Sequence, residues 1–270
     1  MRTPYPMIED GEVRAIQLEI LNDIDHFCRE NNLRYSLGYG TLLGAIRHKG
    51  YIPWDDDIDL IMPRPDYDRF LAEYRSDRNE VIDLNAHPAC VETFAKVSRK
   101  GTLMVDDLLG RGLWGINVDI FPLDGIPSEG MEAYYDKLWE KKDMVARICP
   151  FYKVVGHGRG LWFVKYLLKR IHYPTRKNVM TLKQELVAAL RSNSFEESGM
   201  AGTYFESRHC NEFMEKDIYV EYTDLTFEGK TYRGLKRYDD YLTHIYGDYM
   251  TPPPVDGRES RHQYKVYRLD

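Results

Sequence analysis

The chain has 270 residues, of which 43% are hydrophobic and 30% charged, with a net charge of -6. That supplies enough apolar material for a sizeable core, and the acidic balance argues against a nucleic-acid partner. Four scattered cysteines without metal-ligand spacing read as reduced thiols of a cytoplasmic protein, and no apolar run approaches the roughly 20 residues of a membrane span.

From Glu12 to Arg29 the apolar residues recur at helical spacing, which predicts a packing helix stopped by Asn31 and Asn32. Leu33 to Leu37 reads as a short strand running into Gly38-Tyr39-Gly40-Thr41, with Thr41 as N-cap of a helix from Leu42 to Arg47. Glycines let a backbone approach a ligand closely, and a helix N-terminus offers N–H groups to a phosphate. A turn that merely needs glycine explains the same spacing equally well.

The most informative stretch follows at Trp54-Asp55-Asp56-Asp57-Ile58-Asp59-Leu60-Ile61-Met62. Strand periodicity puts Asp57 and Asp59 on one face, while Ile58, Leu60 and Met62 point into a core. Carboxylates side by side repel unless a cation relieves them, and hard oxygen donors suit Mg²⁺ or Mn²⁺. A calcium loop of the EF-hand type is rejected, because its glycine and glutamate positions hold Leu60 and Asp66 and two prolines interrupt it. A solvated acidic turn is the plain alternative.

Asp66 to Tyr74 predicts a helix, Val81 to Leu84 a strand, and Phe94 to Arg99 another strand with Lys96 and Ser98 on one face. Gly115 to Pro122 is a further strand: Ile116, Val118 and Ile120 share its buried side, leaving Asn117, Asp119 and Phe121 on the other. An aspartate in so apolar a run needs a partner. A helix cap or a buried arginine would serve; the sharper expectation makes Asp119 the third metal carboxylate beside Asp57 and Asp59, with Asp55 as a further candidate. Asp124 reads as a turn residue.

Beyond Pro127 the texture is helical, with Ser128 capping a helix from Glu129 to Cys149 and another helix from Thr181 to Arg191. Residues 159–183 hold seven Lys or Arg and no Asp or Glu, interleaved with Trp162, Phe163 and Tyr166. Such a segment suits an anionic bilayer surface; a core helix with a basic edge fits as well. Ser192 to Gly202 reads as a loop, Tyr219 to Tyr232 as hairpin-like, Tyr238 to Tyr246 as a short helix, and the rest as a polar tail. No repeat or long linker appears, so the expectation is one domain with an α+β core over about residues 12–127 and 203–262 and a helical accessory region over about 128–202.

The segments GYGTLLGAIRHKGYIPWDDDIDLIMPR, NVDIFPLDGIP and YDDYLTHIYGDYMTPPP together resemble the LicD family, bacterial phosphocholine transferases related to fukutin and the fukutin-related protein. The resemblance implies a polymerase β-like nucleotidyltransferase core, a small mixed sheet flanked by helices. It also implies transfer of phosphocholine from CDP-choline to a hydroxyl of a cell-surface glycan precursor of teichoic acid or lipopolysaccharide type, releasing CMP. On that basis Asp57, Asp59 and Asp119 hold Mg²⁺ or Mn²⁺, and Gly38, Gly40 and Thr41 cradle phosphate. Arg47, His48, Lys49 and Lys96 are charge clamps. Tyr39, Trp54, Trp114 and Phe121 are candidates for the aromatic cage that a quaternary ammonium requires. The acceptor would sit on a lipid carrier, placing the protein at the inner face of the plasma membrane with 159–183 in contact. Transfer of another CDP-linked group such as ribitol phosphate, nucleotidyl transfer, and a non-catalytic metal-stabilised choline- or glycan-binding protein are the competing readings.

Overall fold

The computed structural model describes residues 5–87, 90–106, 111–112, 114–148, 178–204, 212–254 and 264–269. Its centre is a mixed sheet in the order β1-β2-β7-β4-β3, built from β1 (Ser36–Leu37), β2 (Asp59–Pro63), β3 (Asn79–Ile82), β4 (Ala95–Arg99) and β7 (Asn117–Ile126). Strands β2 and β7 run parallel and the other pairs antiparallel. The long β7 outlasts its partner β4, and its far end pairs instead with β8 (Met200–Gly202), which pairs with β9 (Phe213–Glu215). The α+β expectation holds.

Helix α1 (Asp10–Glu30) packs on β4 and β7 through Ile20, Leu21 and Ile24, which are fully buried. It stops where the sequence indicates: Asn32 adopts φ 53°, a left-handed conformation that asparagine tolerates. Helix α2 (Tyr39–Arg47) packs against β1 and β2, and α3 (Arg64–Glu73) against β2 and β7. Ile58, Leu60 and Met62 are buried as their alternation requires.

A second apolar cluster joins α4 (Met131–Ile148) and α5 (Val179–Leu190) to Ile126, Tyr204 and Phe213. Asn178 caps α5, its side chain accepting from the Thr181 N–H at 2.7 Å. Hairpin β10 (Tyr222–Phe227) and β11 (Lys230–Leu235) turns through Glu228 and Gly229, both at positive φ, as a tight primed turn demands. Helix α6 (Tyr238–Tyr246) follows as expected.

Several expectations are corrected. The Ser192 to Gly202 loop ends in strand β8, and the polar tail contains β12 (Tyr264–Arg268). That strand pairs with β5 (Thr102–Asp106), which in turn pairs with β6 (Arg111–Gly112). Asp124 lies inside β7, not in a turn. Most of the basic aromatic segment lies outside the described residues; its last cation, Lys183, is fully buried and donates to the His87 carbonyl at 3.0 Å. Among the described residues no helix is long and apolar enough to cross a membrane.

Candidate active site

The face of the sheet opposite Leu60, Val118 and Ile120 carries Asp59, Asp119, Lys96 and Phe121. In register, Asp59 stands opposite Asp119 on the parallel pair β2–β7, and Lys96 stands opposite Asp119 on the antiparallel pair β4–β7. One β-position thus collects two acids and a lysine from three adjacent strands. Lys96 Nζ donates to both Asp119 oxygens, at 2.8 and 2.6 Å, and Asn117 Nδ2 donates to Oδ1 at 2.6 Å. Burial works to lower the Lys96 ammonium, and the charge and hydrogen bonds of Asp119 more than offset it, so its pKa rises.

Asp57 is not on the strand. β2 begins at Asp59, and Asp55, Asp56 and Asp57 form its lead-in. Among the described residues, these three are the one group of potential metal ligands whose oxygens all lie within 4.8 Å of one another. Their charge reaches Asp59: burial pushes its carboxyl well above the ordinary aspartate value, and Asp57, Asp119 and Asp55 add to the rise against Lys96. Four acids sharing the field of one lysine are an oxygen-only donor set with excess negative charge. Such a set could accommodate a hard divalent cation.

The lead-in is fixed from α1. Arg14 Nη2 donates to the Asp55 carbonyl at 2.9 Å and Gln17 Nε2 to the Asp56 carbonyl at 2.8 Å. Neither residue stood out in the sequence, because both read as the polar side of a packing helix. Only the fold shows that this side touches the acidic loop.

The glycine turn plays a different part from the one expected. The N-cap of α2 is Gly38, not Thr41. Gly38 N–H donates to the Asp59 carbonyl at 2.9 Å, and the Asp59 N–H donates to Thr41 Oγ1 at 2.8 Å. Both residues are buried, so they clamp the Asp59 backbone from either side. Gly40 is required by close approach: a Cβ there would lie 2.5 Å from Asp55 Oδ2. Tyr39 between them has φ 43°, a strained conformation for a non-glycine residue.

The expected clamps and cage divide. Arg47 donates to His48 Nε2 at 2.9 Å and to the Tyr249 carbonyl at 2.6 Å, which ties α2 to the segment after α6. Burial and then the Arg47 charge lower the His48 pKa. Lys49 is exposed in a turn at φ 62°. Tyr39 and Phe121 come together, ring centroids 5.1 Å apart, and Phe94 joins them 4.3 Å from Phe121. Trp54 sits edge-on to His48, and Trp114 edge-on to His87.

The site thus joins an acidic loop leading into a strand aspartate, a second aspartate in register beside it and a glycine turn packed on Asp59 and Asp55. The family described as "LicD/FKTN/FKRP, nucleotidyltransferase domain" matches residues 32–124, which hold every aspartate of the cluster. The chain is also 30% identical over 268 residues to the lipopolysaccharide cholinephosphotransferase LicD of Haemophilus influenzae, spanning 95% of this chain and 98% of that protein. The chain belongs to the LicD family. An uncharacterised protein of Rickettsia prowazekii is 45% identical over 65 residues, covering 21% of this chain and 24% of the relative.

Proposed function

We propose that this protein transfers phosphocholine from CDP-choline to a hydroxyl of a cell-surface glycan precursor, of lipopolysaccharide or teichoic acid type, and releases CMP. The observation that carries the reading is the register pair Asp59–Asp119 beside the Asp55–Asp57 lead-in, within a chain alignable over nearly its whole length with a cholinephosphotransferase. The sheet and its flanking helices then act as a nucleotidyltransferase-type core.

In this account Asp57, Asp59 and Asp119, with Asp55 as a further ligand, would hold Mg²⁺ or Mn²⁺. A divalent ion there supplies charge neutralisation for the transferred phosphoryl group and the leaving CMP. The chain's own residues do the positioning. Arg14 and Gln17 hold the lead-in, Gly38 and Thr41 hold Asp59, and Gly40 lets α2 close on Asp55. Asp119, oriented by Lys96 and Asn117, accepts the proton of the acceptor hydroxyl as it attacks phosphorus. Lys96, one hydrogen bond from that carboxylate, would in this account meet a phosphoryl oxygen.

The acceptor on a lipid carrier would bring the protein to the inner face of the plasma membrane, with the basic aromatic segment ahead of the buried Leu182 and Lys183 touching it. Changing Lys165, Lys169 and Arg170 together to Glu is then expected to abolish binding to anionic vesicles in a flotation assay; wild-type protein that stays off the vesicles removes the membrane contact. For the chemistry, the protein is incubated with Mg²⁺, an acceptor glycan and a panel of CDP-linked donors, with products separated by chromatography. Free CMP and a phosphocholine-bearing acceptor are expected. An acceptor carrying CMP would mean nucleotidyl transfer, and no turnover of any donor would leave only a binding protein.

A further inference from the structure

The two clamps on the acidic lead-in meet at one further side chain that the chemistry above does not use. Tyr51, in the segment between α2 and β2, is buried, and its hydroxyl donates to Gln17 Oε1 at 3.0 Å. The other end of the same amide, Nε2, holds the Asp56 carbonyl. The Tyr51 ring lies under Arg14, whose guanidinium carbon stands 4.8 Å from the ring centroid and whose Nη2 holds the Asp55 carbonyl. One tyrosine thus touches both residues that grip the loop, with its hydroxyl on one and its ring face on the other.

The two contacts act differently. A glutamine amide can turn either end toward a carbonyl, and only the nitrogen end can donate to it. With Oε1 taken by the Tyr51 hydroxyl, Nε2 is the end that faces Asp56. Gln17 is almost wholly buried, so an Oε1 without that hydroxyl would be left unsatisfied. A guanidinium seated on an aromatic face is held in one arrangement while it keeps its charge beside the acids. The loop needs such restraint, because Asp55, Asp56 and Asp57 bring three carboxylates within 4.8 Å of one another and like charges push it open.

Tyr51 is itself fixed from the β10–β11 hairpin. Glu228 in the hairpin turn accepts from the Tyr51 N–H at 3.0 Å, and the Glu228 N–H donates to the Lys49 carbonyl at 2.9 Å. Gly50 admits that carboxylate, since a Cβ there would run into Glu228 Oε1. Phe227 backs the Tyr51 ring, with centroids 5.1 Å apart. We propose that Tyr51 is a positioning residue for the acidic cluster: its hydroxyl sets the Gln17 amide, its ring seats Arg14, and the hairpin latches it through Glu228. The assignment rests on the reading of the neighbouring aspartates as a cation centre. Tyr51 touches neither cation nor substrate; it acts through the two clamps.

The test is Mn²⁺ binding to the full chain, followed by electron paramagnetic resonance in Tyr51→Phe, Gln17→Met, the double variant and Tyr51→Leu. Tyr51→Phe keeps the ring under Arg14 and loses only the hydroxyl. Each of the first two variants is expected to weaken Mn²⁺ binding about tenfold, as loss of an outer-shell partner of a metal does. The double variant should bind no more weakly than Gln17→Met alone, because the hydroxyl acts through that amide. Tyr51→Leu, which also takes the ring from under Arg14, should bind more weakly than Tyr51→Phe. Unchanged affinity in Tyr51→Phe, losses that multiply in the double variant, or a Tyr51→Leu equal to Tyr51→Phe each overturn the proposal. Hydrogen exchange of the metal-free protein gives a readout independent of the cation. The amides of residues 52–59, among them the hydrogen-bonded N–H groups of Asp55 and Asp59, are expected to exchange about tenfold faster in Tyr51→Phe while the central strands stay unchanged. Exchange as in wild type, or raised evenly along the chain, overturns the positioning role. A wild-type chain that binds no Mn²⁺ overturns the cation reading instead, and the exchange still decides the part of Tyr51.

Discussion

Strand β7 carries two aspartates in opposite circumstances. Near its far end Asp124 is almost wholly buried and is gripped by Arg64, Nε to Oδ1 and Nη2 to Oδ2 both at 2.6 Å. Burial pushes the Asp124 carboxyl up, and the guanidinium pulls it back. Near the start of the strand Asp119 has Lys96, but it shares that lysine's field with Asp59 and the Asp55–Asp57 lead-in. The first is a closed pair that holds structure. The second is an open excess of one sign, the arrangement that functional sites keep at the expense of stability.

Substitutions should separate the two ends. At the open end, Asp59→Asn is expected to lower transfer by roughly a thousandfold or more, as loss of a single essential carboxylate does. The same change should raise the thermal midpoint of the metal-free protein at neutral pH, since it removes a repelled charge. At the closed end, Asp124→Ala should do the reverse. It strands a buried guanidinium at a cost of about 3–5 kcal/mol in denaturant unfolding, while activity per folded molecule stays near wild type. A destabilising Asp59→Asn, or a neutral Asp124→Ala, would erase the contrast.

A pH titration sharpens it. The Asp59 pKa is raised on folding, so between its unfolded and folded values the native state binds more protons than the unfolded chain. Stability of the metal-free protein should therefore fall as pH rises from the ordinary aspartate value through the raised one. Asp59→Asn should flatten that slope, and saturating Mg²⁺ should too. A metal-free stability that climbs over the same window would contradict the charge excess.

Much of the open end was legible in the sequence, because alternation along a single strand is a local property. Asp59, Asp119 and Phe121 fall on the faces their periodicity assigns. The partner of Asp119 was not legible, since a lysine three strands earlier in sequence becomes its neighbour only through register. Asp124 was misread for a related reason. Pro122 looks like the end of a strand, yet on that side of β7 it falls between Ile120, the end of the β4 pairing, and Asp124, where β8 begins. A proline in such a gap removes no ladder hydrogen bond on that side, and the strand continues through it. The tail strand β12 and the network of Glu212, Thr203 and Tyr39 join residues far apart in the chain, and neither carries a local periodicity.

A smaller effect probes the clamp between the glycine turn and the acidic loop. Gly40→Ala places a Cβ 2.5 Å from Asp55 Oδ2, so that carboxylate must move. A misplacement of this size should lower turnover by about ten- to a hundredfold with little change in the unfolding midpoint, measured side by side on the same preparation. Full turnover would mean that Asp55 lies outside the working part of the cluster.

The most direct measurement is Mn²⁺ binding followed by electron paramagnetic resonance on wild-type protein, Asp59→Asn and Asp124→Asn. The acidic face of β2 and β7 as a divalent-cation centre predicts stoichiometric binding to wild-type and to Asp124→Asn, and loss of most of the affinity in Asp59→Asn. Equal binding by all three, or none by the wild-type chain in the presence of CDP-choline, would contradict it.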